Sequence, residues 1–235
     1  QRPDHGRPVA RHRRRTGQEL TVAVTHPRRS LLILALALLA PAVAASVSGT
    51  DSALARQTLA PVTPADRSIG RADAPVTVVE YASFACNHCA DWHRFVYPTF
   101  KTRFIDTGQV RLVFRNLPTL PEEVSLPGAA LARCAAPERF FDVATALMLG
   151  QDAVFRGGTR EDWYAPAIAA SGRTQAQIEA CVATPATLEA INRDVDSARA
   201  AGANTTPAFF VNGRRVTDRS LGGLEVAIRA AAAAQ

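Results

Sequence analysis

Two cysteines, Cys86 and Cys89, are separated only by Asn87 and His88, and they follow the β-branched run Val76-Thr77-Val78-Val79-Glu80-Tyr81. A strand-like run followed by apolar residues at helical spacing puts the first thiol at a helix N-terminus and the second one turn deeper. Unpaired backbone N–H groups and the positive end of the helix dipole stabilise a thiolate there and depress its pKa. A pair so placed can cycle between dithiol and disulfide. Two other readings of C-x-x-C compete with this one, haem attachment and half of a zinc site. Haem attachment needs His directly after the second Cys, where this chain has Ala90. A structural zinc site needs a second ligand pair at close spacing, whereas Cys134 and Cys181 are lone residues far apart. The redox reading is preferred and no metal is expected.

Other residues could tune the pair. His88 can donate to the Cys86 thiolate or, when protonated, oppose its charge. Each tenfold gain in thiol acidity is worth about 1.4 kcal/mol, or about 30 mV for a two-electron couple, so an acidic Cys86 makes the disulfide oxidising. Glu80 is a carboxylate inside an apolar strand pattern, six residues before Cys86. Burial should raise its pKa until it can exchange a proton with Cys89; a strand-end Glu facing solvent is the alternative. Thr206-Pro207 opens a second strand pattern, and Pro belongs at a strand's first residue because it cannot donate a ladder hydrogen bond.

The elements that must position these residues are legible as periods. Cys89, Trp92, Val96, Phe100 and Phe104 recur at helical spacing, with a kink expected at Pro98. Gln109 to Arg115 reads as the next strand, completing β-α-β. From Asn116 to Thr205 only helical patterns appear: Ser125 to Ala136, Glu138 to Leu149, Arg160 to Ala170, Thr174 to Ala183 and Pro185 to Ala201. Ala208 to Val211, the turn Asn212-Gly213 and Arg214 to Val216 form a hairpin signal, and Leu221 to Ala234 a closing helix. The domains expected are a leader and signal peptide (1–45), an extended linker (46–70), one α/β domain made of 71–117 and 200–235, and a helical insertion (118–199).

The net charge of +6 is concentrated at the front. Residues 1–29 carry eight Arg against Asp4 and Glu19, leaving 19 basic and 19 acidic residues in the remainder. A neutral body lacks the basic surface that phosphate recognition requires, so nucleic-acid binding is not expected. Arg28-Arg29, the Leu-rich run Ser30 to Ala40 and Pro41 to Ser46 read as the charged, apolar and cleavage regions of an export signal. A retained membrane anchor is the alternative, but the run falls short of a spanning helix. In an oxidising compartment an even cysteine count favours pairing, so Cys134 and Cys181 are read as a structural disulfide, with two buried free thiols as the alternative.

Taken together, Glu80, Phe84-x-Cys86-x-His88-Cys89, the helical insertion and Thr206-Pro207-Ala208-Phe209-Phe210-Val211-Asn212-Gly213 resemble the DsbA-like branch of the thioredoxin superfamily, from about Arg71 to the C-terminus. The resemblance implies a thioredoxin-like α/β fold with an inserted all-helical subdomain. It implies that Pro207 is cis, lies against the cysteine pair and helps bind extended chains with Thr206, and that Glu80 is the family's buried acid. It further implies a periplasmic monomer that oxidises reduced, unfolded exported proteins, is reoxidised by a DsbB-like quinone-linked membrane protein, and uses no separate cofactor. Asn87 stands where Pro is usual and Thr206 where Val is common, which would soften the oxidising power. The rival readings are a periplasmic reductase or isomerase and a metal-binding chaperone using the same two thiols.

Overall fold

The computed structural model describes residues 58–234. The signal-peptide reading of residues 1–45 and the first part of the lead-in lie outside them. The expected strand–helix–strand unit is present: β2 (Val76–Ala82), α1 (Asn87–Phe95) and β3 (Val110–Asn116), with β2 and β3 parallel from Val76 opposite Val110 to Ala82 opposite Asn116. The numbering begins one strand earlier, because β1 (Arg67–Ile69) pairs antiparallel with β3. This corrects the reading of 46–70 as linker throughout. A three-residue strand with one apolar side chain leaves no period to detect, and pairing to β3 supplies its order. On the other side β4 (Ala208–Val211) runs antiparallel to β2, and the Asn212-Gly213 turn returns the chain as β5 (Arg214–Val216). Both turn residues have positive φ, 43° and 81°, as the tight hairpin turn requires. The sheet order is β1-β3-β2-β4-β5.

The single kinked helix expected after the cysteine pair is divided. α1 ends at Phe95, α2 (Tyr97–Phe100) begins with Pro98 in its first turn, where a missing N–H is harmless, and a π-helical turn covers Lys101–Ile105. The helical block comprises α3 (Glu122–Arg133), α4 (Phe140–Phe155), α5 (Arg160–Ala170), α6 (Gln175–Val182) and α7 (Pro185–Ala200), and α8 (Leu221–Ala233) closes the chain. Side chains cap several starts: Thr159 accepts from the Asp162 N–H, Thr174 and Gln177 form a reciprocal box, and Ser220 accepts from the Gly223 N–H.

Strand alternation divides the core into two layers. Val76, Val78, Leu112, Phe114, Phe209 and Val211 face the layer that contains Cys89, Trp92 and Phe100. Val79, Tyr81, Val113, Ala208 and Phe210 face the opposite layer, where Ala198 of α7 packs. Glu80 shares the parity of Val78 and so points toward α1 and the cysteine pair.

Cys134, at the end of α3, and Cys181, in α6, form a disulfide with S–S 2.03 Å across 47 residues. The Thr187 hydroxyl lies 3.6 and 3.7 Å from the two sulfurs. Within α6 only Ile178 is buried, so the covalent link is a large part of what ties this helix to α3. Replacing both residues (Cys134→Ala with Cys181→Ala) is expected to lower stability by about 3–4 kcal/mol from loop entropy. Urea unfolding of the two proteins, with Cys86 and Cys89 in the same redox state, measures the difference.

Candidate active site

Cys86 occupies the cap position of α1, with extended φ and ψ of −93° and 115° and no side-chain cap bond. The first N–H groups of the helix are therefore open to the sulfur, and those of His88 and Cys89 donate to Cys86 Sγ. Cys86 is partly exposed, Cys89 is fully buried, and both are free thiols. The hydrogen bond from the Cys89 thiol is the strongest influence on Cys86 and draws its pKa down from 9.0 to about 5. Burial opposes that shift, and the Thr206 hydroxyl and the two backbone N–H groups reinforce it. Cys89 moves the other way. Burial pushes its pKa well above 9.0, the bond to Cys86 and the charge there add to the rise, and the charge of Glu80 contributes further. The Ser83 backbone partly counters these effects. Two sulfurs of one motif thus hold opposite protonation states at neutral pH.

Two distant segments complete the site. The Thr206–Pro207 peptide is cis and precedes β4. Thr206 meets Cys86 with both its groups: the carbonyl accepts from the protonated thiol at 3.5 Å, and the hydroxyl donates to the thiolate. From α4, the buried Gln151 donates through Nε2 to the carbonyls of Phe84 at 2.5 Å and Cys86 at 3.3 Å. This pins the loop between β2 and α1 to the helical block.

Glu80 is fully buried, and its Oε1 lies 3.2 Å from His93 Nε2, also fully buried. Among the described residues, Glu80 Oε2 and His93 Nδ1 have no hydrogen-bond partner. The His93 ring packs between Trp92, Tyr97 and Phe114. Burial raises the Tyr97 pKa, and the charge of Glu80 adds to it. Solvent exposure of Glu80, the alternative reading, is therefore excluded. His88 is different from its expected role. Its ring is exposed and no hydrogen bond joins it to Cys86, so among the described residues its contribution to the thiolate is its backbone N–H.

Neither His93 nor Gln151 was anticipated from sequence. His93 carried a usable signal, four residues after Cys89 and hence on the same helical face. Gln151 carried none, because its partners lie 65 and 67 residues away.

Fold and site together define a redox-type cysteine pair on a thioredoxin-like α/β fold with an inserted all-helical block. Residues 62–230 match the family model described as Thioredoxin, and the chain belongs to that family. It is similar to a Rickettsia bellii protein named as a protein-disulfide oxidoreductase, 27% identical over 165 residues that cover 69% of this chain and 63% of that protein. The chain thus spans just under two thirds of that relative's length. Among solved structures, Wolbachia pipientis α-DsbA1 is 26% identical with a TM-score of 0.66, over 75% of this chain and 94% of that one. Bacillus subtilis BdbD shares the fold at 18% identity and a TM-score of 0.64, over 75% and 97% of the two chains.

The rate of Cys86 alkylation is expected to rise with pH through about 5 and then level. Removing the donor thiol with Cys89→Ala moves that midpoint up by about one to two pH units, the worth of one hydrogen bond to a charged sulfur. Thiolate ultraviolet absorbance against pH reads both midpoints. For the buried pair, His93→Leu leaves Glu80 without its partner and is expected to cost about 3–5 kcal/mol in urea unfolding, while adding Glu80→Leu recovers most of the loss.

Proposed function

We propose that this chain is an exported, periplasmic thiol:disulfide oxidoreductase that donates a Cys86–Cys89 disulfide to reduced secreted proteins. The observation that carries this reading is the split between the two sulfurs: the outer one is stable as a thiolate, the inner one as a thiol. A client thiolate attacks Cys86 Sγ of the disulfide. The S–S bond breaks, Cys89 leaves with the electron pair and takes up a proton, and a mixed disulfide joins client to Cys86. A second client thiolate then attacks the client sulfur, forming the client's disulfide and expelling Cys86 as a thiolate. The low pKa of Cys86 makes it the better leaving group in that step. Two electrons pass from the client thiols to the cysteine pair, which ends as Cys86 thiolate and Cys89 thiol.

Glu80, paired with His93 behind the inner sulfur, serves as the proton source and sink for Cys89 in this scheme. Thr206 and Pro207 form the ledge on which the extended client lies. Residues 67–117 and 200–235 carry the exchange site, the insertion 118–199 braces it through Gln151, and residues 1–45 direct export. Reoxidation falls to a DsbB-like membrane partner, and the chain works as a monomer without a separate cofactor. The charged, apolar and small-residue pattern of the leader and the likeness to DsbA proteins support the periplasmic reading. Among the described residues no helix is long and apolar enough to cross a membrane.

Equilibration with glutathione buffers is the deciding measurement. A reduction potential nearer about −120 mV than about −270 mV is expected, together with loss of thiols from a reduced unfolded substrate mixed with the oxidised protein. Cys86→Ser abolishes that transfer. A potential near the lower value makes the chain a reductase and overturns the proposal, and one metal ion per chain lost on replacing Cys86 assigns the chaperone role instead.

A further inference from the structure

Beside the Thr206–Pro207 ledge lies an open trough of about 540 Å³, and its charged lining has one sign. Arg215, Arg219 and His88 line it, and among the described residues no carboxylate does. Neither arginine belongs to an ion pair among the described residues. Arg215 Nη1 donates to the Gly202 carbonyl at 2.6 Å, which leaves four of its five donors unused. Arg219 Nη1 reaches the Thr206 carbonyl at 3.5 Å, the same oxygen that Cys86 Sγ approaches at 3.5 Å. One guanidinium therefore shares an acceptor with the reactive sulfur.

Neither Asp218 nor Asp91, the acids nearby, is ion-paired with either arginine among the described residues. Asp218 lies between the two arginines in sequence, but its carboxylate accepts from the Ser220 N–H at 3.0 Å and packs against Gly223, lining a different groove between β5 and α8. Asp91 shares an adjoining hollow of about 250 Å³ with Arg219 and His88, beside Trp92, Phe95, Val96 and Pro207, but forms no ion pair with Arg219 among the described residues. The surface around Cys86 is thus cationic toward β5, while toward α1 it mixes Asp91 with apolar side chains, of which Phe95 is 70% exposed.

We propose that Arg215 and Arg219 select clients by charge, favouring segments with an Asp or Glu within about three residues of the reacting cysteine. This rests on the reading of Cys86 as the point of client attack. A chain that presents its cysteine to Cys86 crosses Thr206 and Pro207, and a backbone N–H that pairs with the Thr206 carbonyl displaces Arg219 from it. The freed guanidinium then has an acidic side chain of the same segment as its natural partner. Both arginines are exposed, so the preference works through encounter and orientation and weakens as salt screens it.

The test uses the oxidised full chain and two-cysteine peptides identical except for Asp, Ser or Lys on either side of the first cysteine. Each oxidation rate is normalised to that peptide's rate with 2-hydroxyethyl disulfide, which removes the effect of neighbouring charge on the peptide thiol itself. The Asp peptides are expected to react about tenfold faster than the Lys peptides at low salt, with the ratio shrinking in molar salt. Arg215→Glu with Arg219→Glu is expected to reverse the order, a result that loss of folding cannot mimic. Equal rates, a Lys preference, or a ratio that the double substitution leaves unchanged overturns charge selection while leaving disulfide transfer intact. If no peptide of any charge is oxidised, the transfer reading fails and this one with it.

Discussion

One hydrogen bond, donated by the buried Cys89 thiol to the half-exposed Cys86 sulfur, is the interaction on which the rest of the site depends. Two thiols with the same intrinsic acidity cannot both ionise at contact distance, so the environment decides which keeps the proton. Burial alone penalises both. The difference arises because the inner sulfur is the more deeply buried, with the Glu80 charge adding to its penalty, while the outer sulfur also meets the Thr206 hydroxyl and the open N–H groups of α1. Negative charge is therefore held where donors converge, and the proton is held where charge is least tolerated. The reduced state gains from this arrangement in a way that the disulfide cannot, since a disulfide has neither charge nor donor to offer.

Holding that geometry requires chain segments far apart in sequence. The β2 pleat points Glu80 at α1, the approach to β4 brings Thr206 to the sulfur, and α4 supplies Gln151 to the carbonyls on either side of Ala85. Each contact acts on a polar group that would otherwise be buried or left free to move. A loop whose carbonyls are held from below cannot turn its first helical N–H groups away from Cys86 without breaking bonds in the core. The helical block thus contributes stiffness to the site through Gln151, while its own integrity draws on the Cys134–Cys181 link.

What the sequence made legible was local. The β-branched run ending at Tyr81, the Asn212-Gly213 turn and the long helical stretch each leave a period or a turn signal and mark real structure, while the spacing from Cys89 to Phe104 marks helical chain that is divided in three. Elements whose order comes from distant partners leave no such trace. β1 has a single apolar residue and exists because β3 offers it a ladder. Gln151 was invisible for a compounded reason: the helix expected to stop at Leu149 continues to Phe155, so the residue appeared to lie in a loop, and its acceptors lie more than sixty positions away. The Glu80–His93 pair falls between these cases. Each residue's face was readable from its own element, but their meeting depends on how α1 crosses the sheet.

The spacer between the cysteines shows how such a site is tuned. Reading Asn87-His88 by side-chain chemistry assigns the influence to the imidazole, yet that ring is in water, where a unit charge at contact distance is worth about 1 kcal/mol. What the spacer contributes is the His88 backbone N–H at the helix start, a smaller influence than the Cys89 thiol. Asn87 Oδ1 accepts from the His88 N–H at 2.9 Å, the same N–H that donates to Cys86 Sγ. A donor divided between two acceptors gives less to each, so the Asn side chain withdraws part of what the helix offers the thiolate. A residue at this position without a side-chain acceptor would leave the N–H wholly to the sulfur. The spacer therefore makes a small adjustment to the acidity of Cys86, through the claim that the Asn87 side chain makes on the His88 N–H.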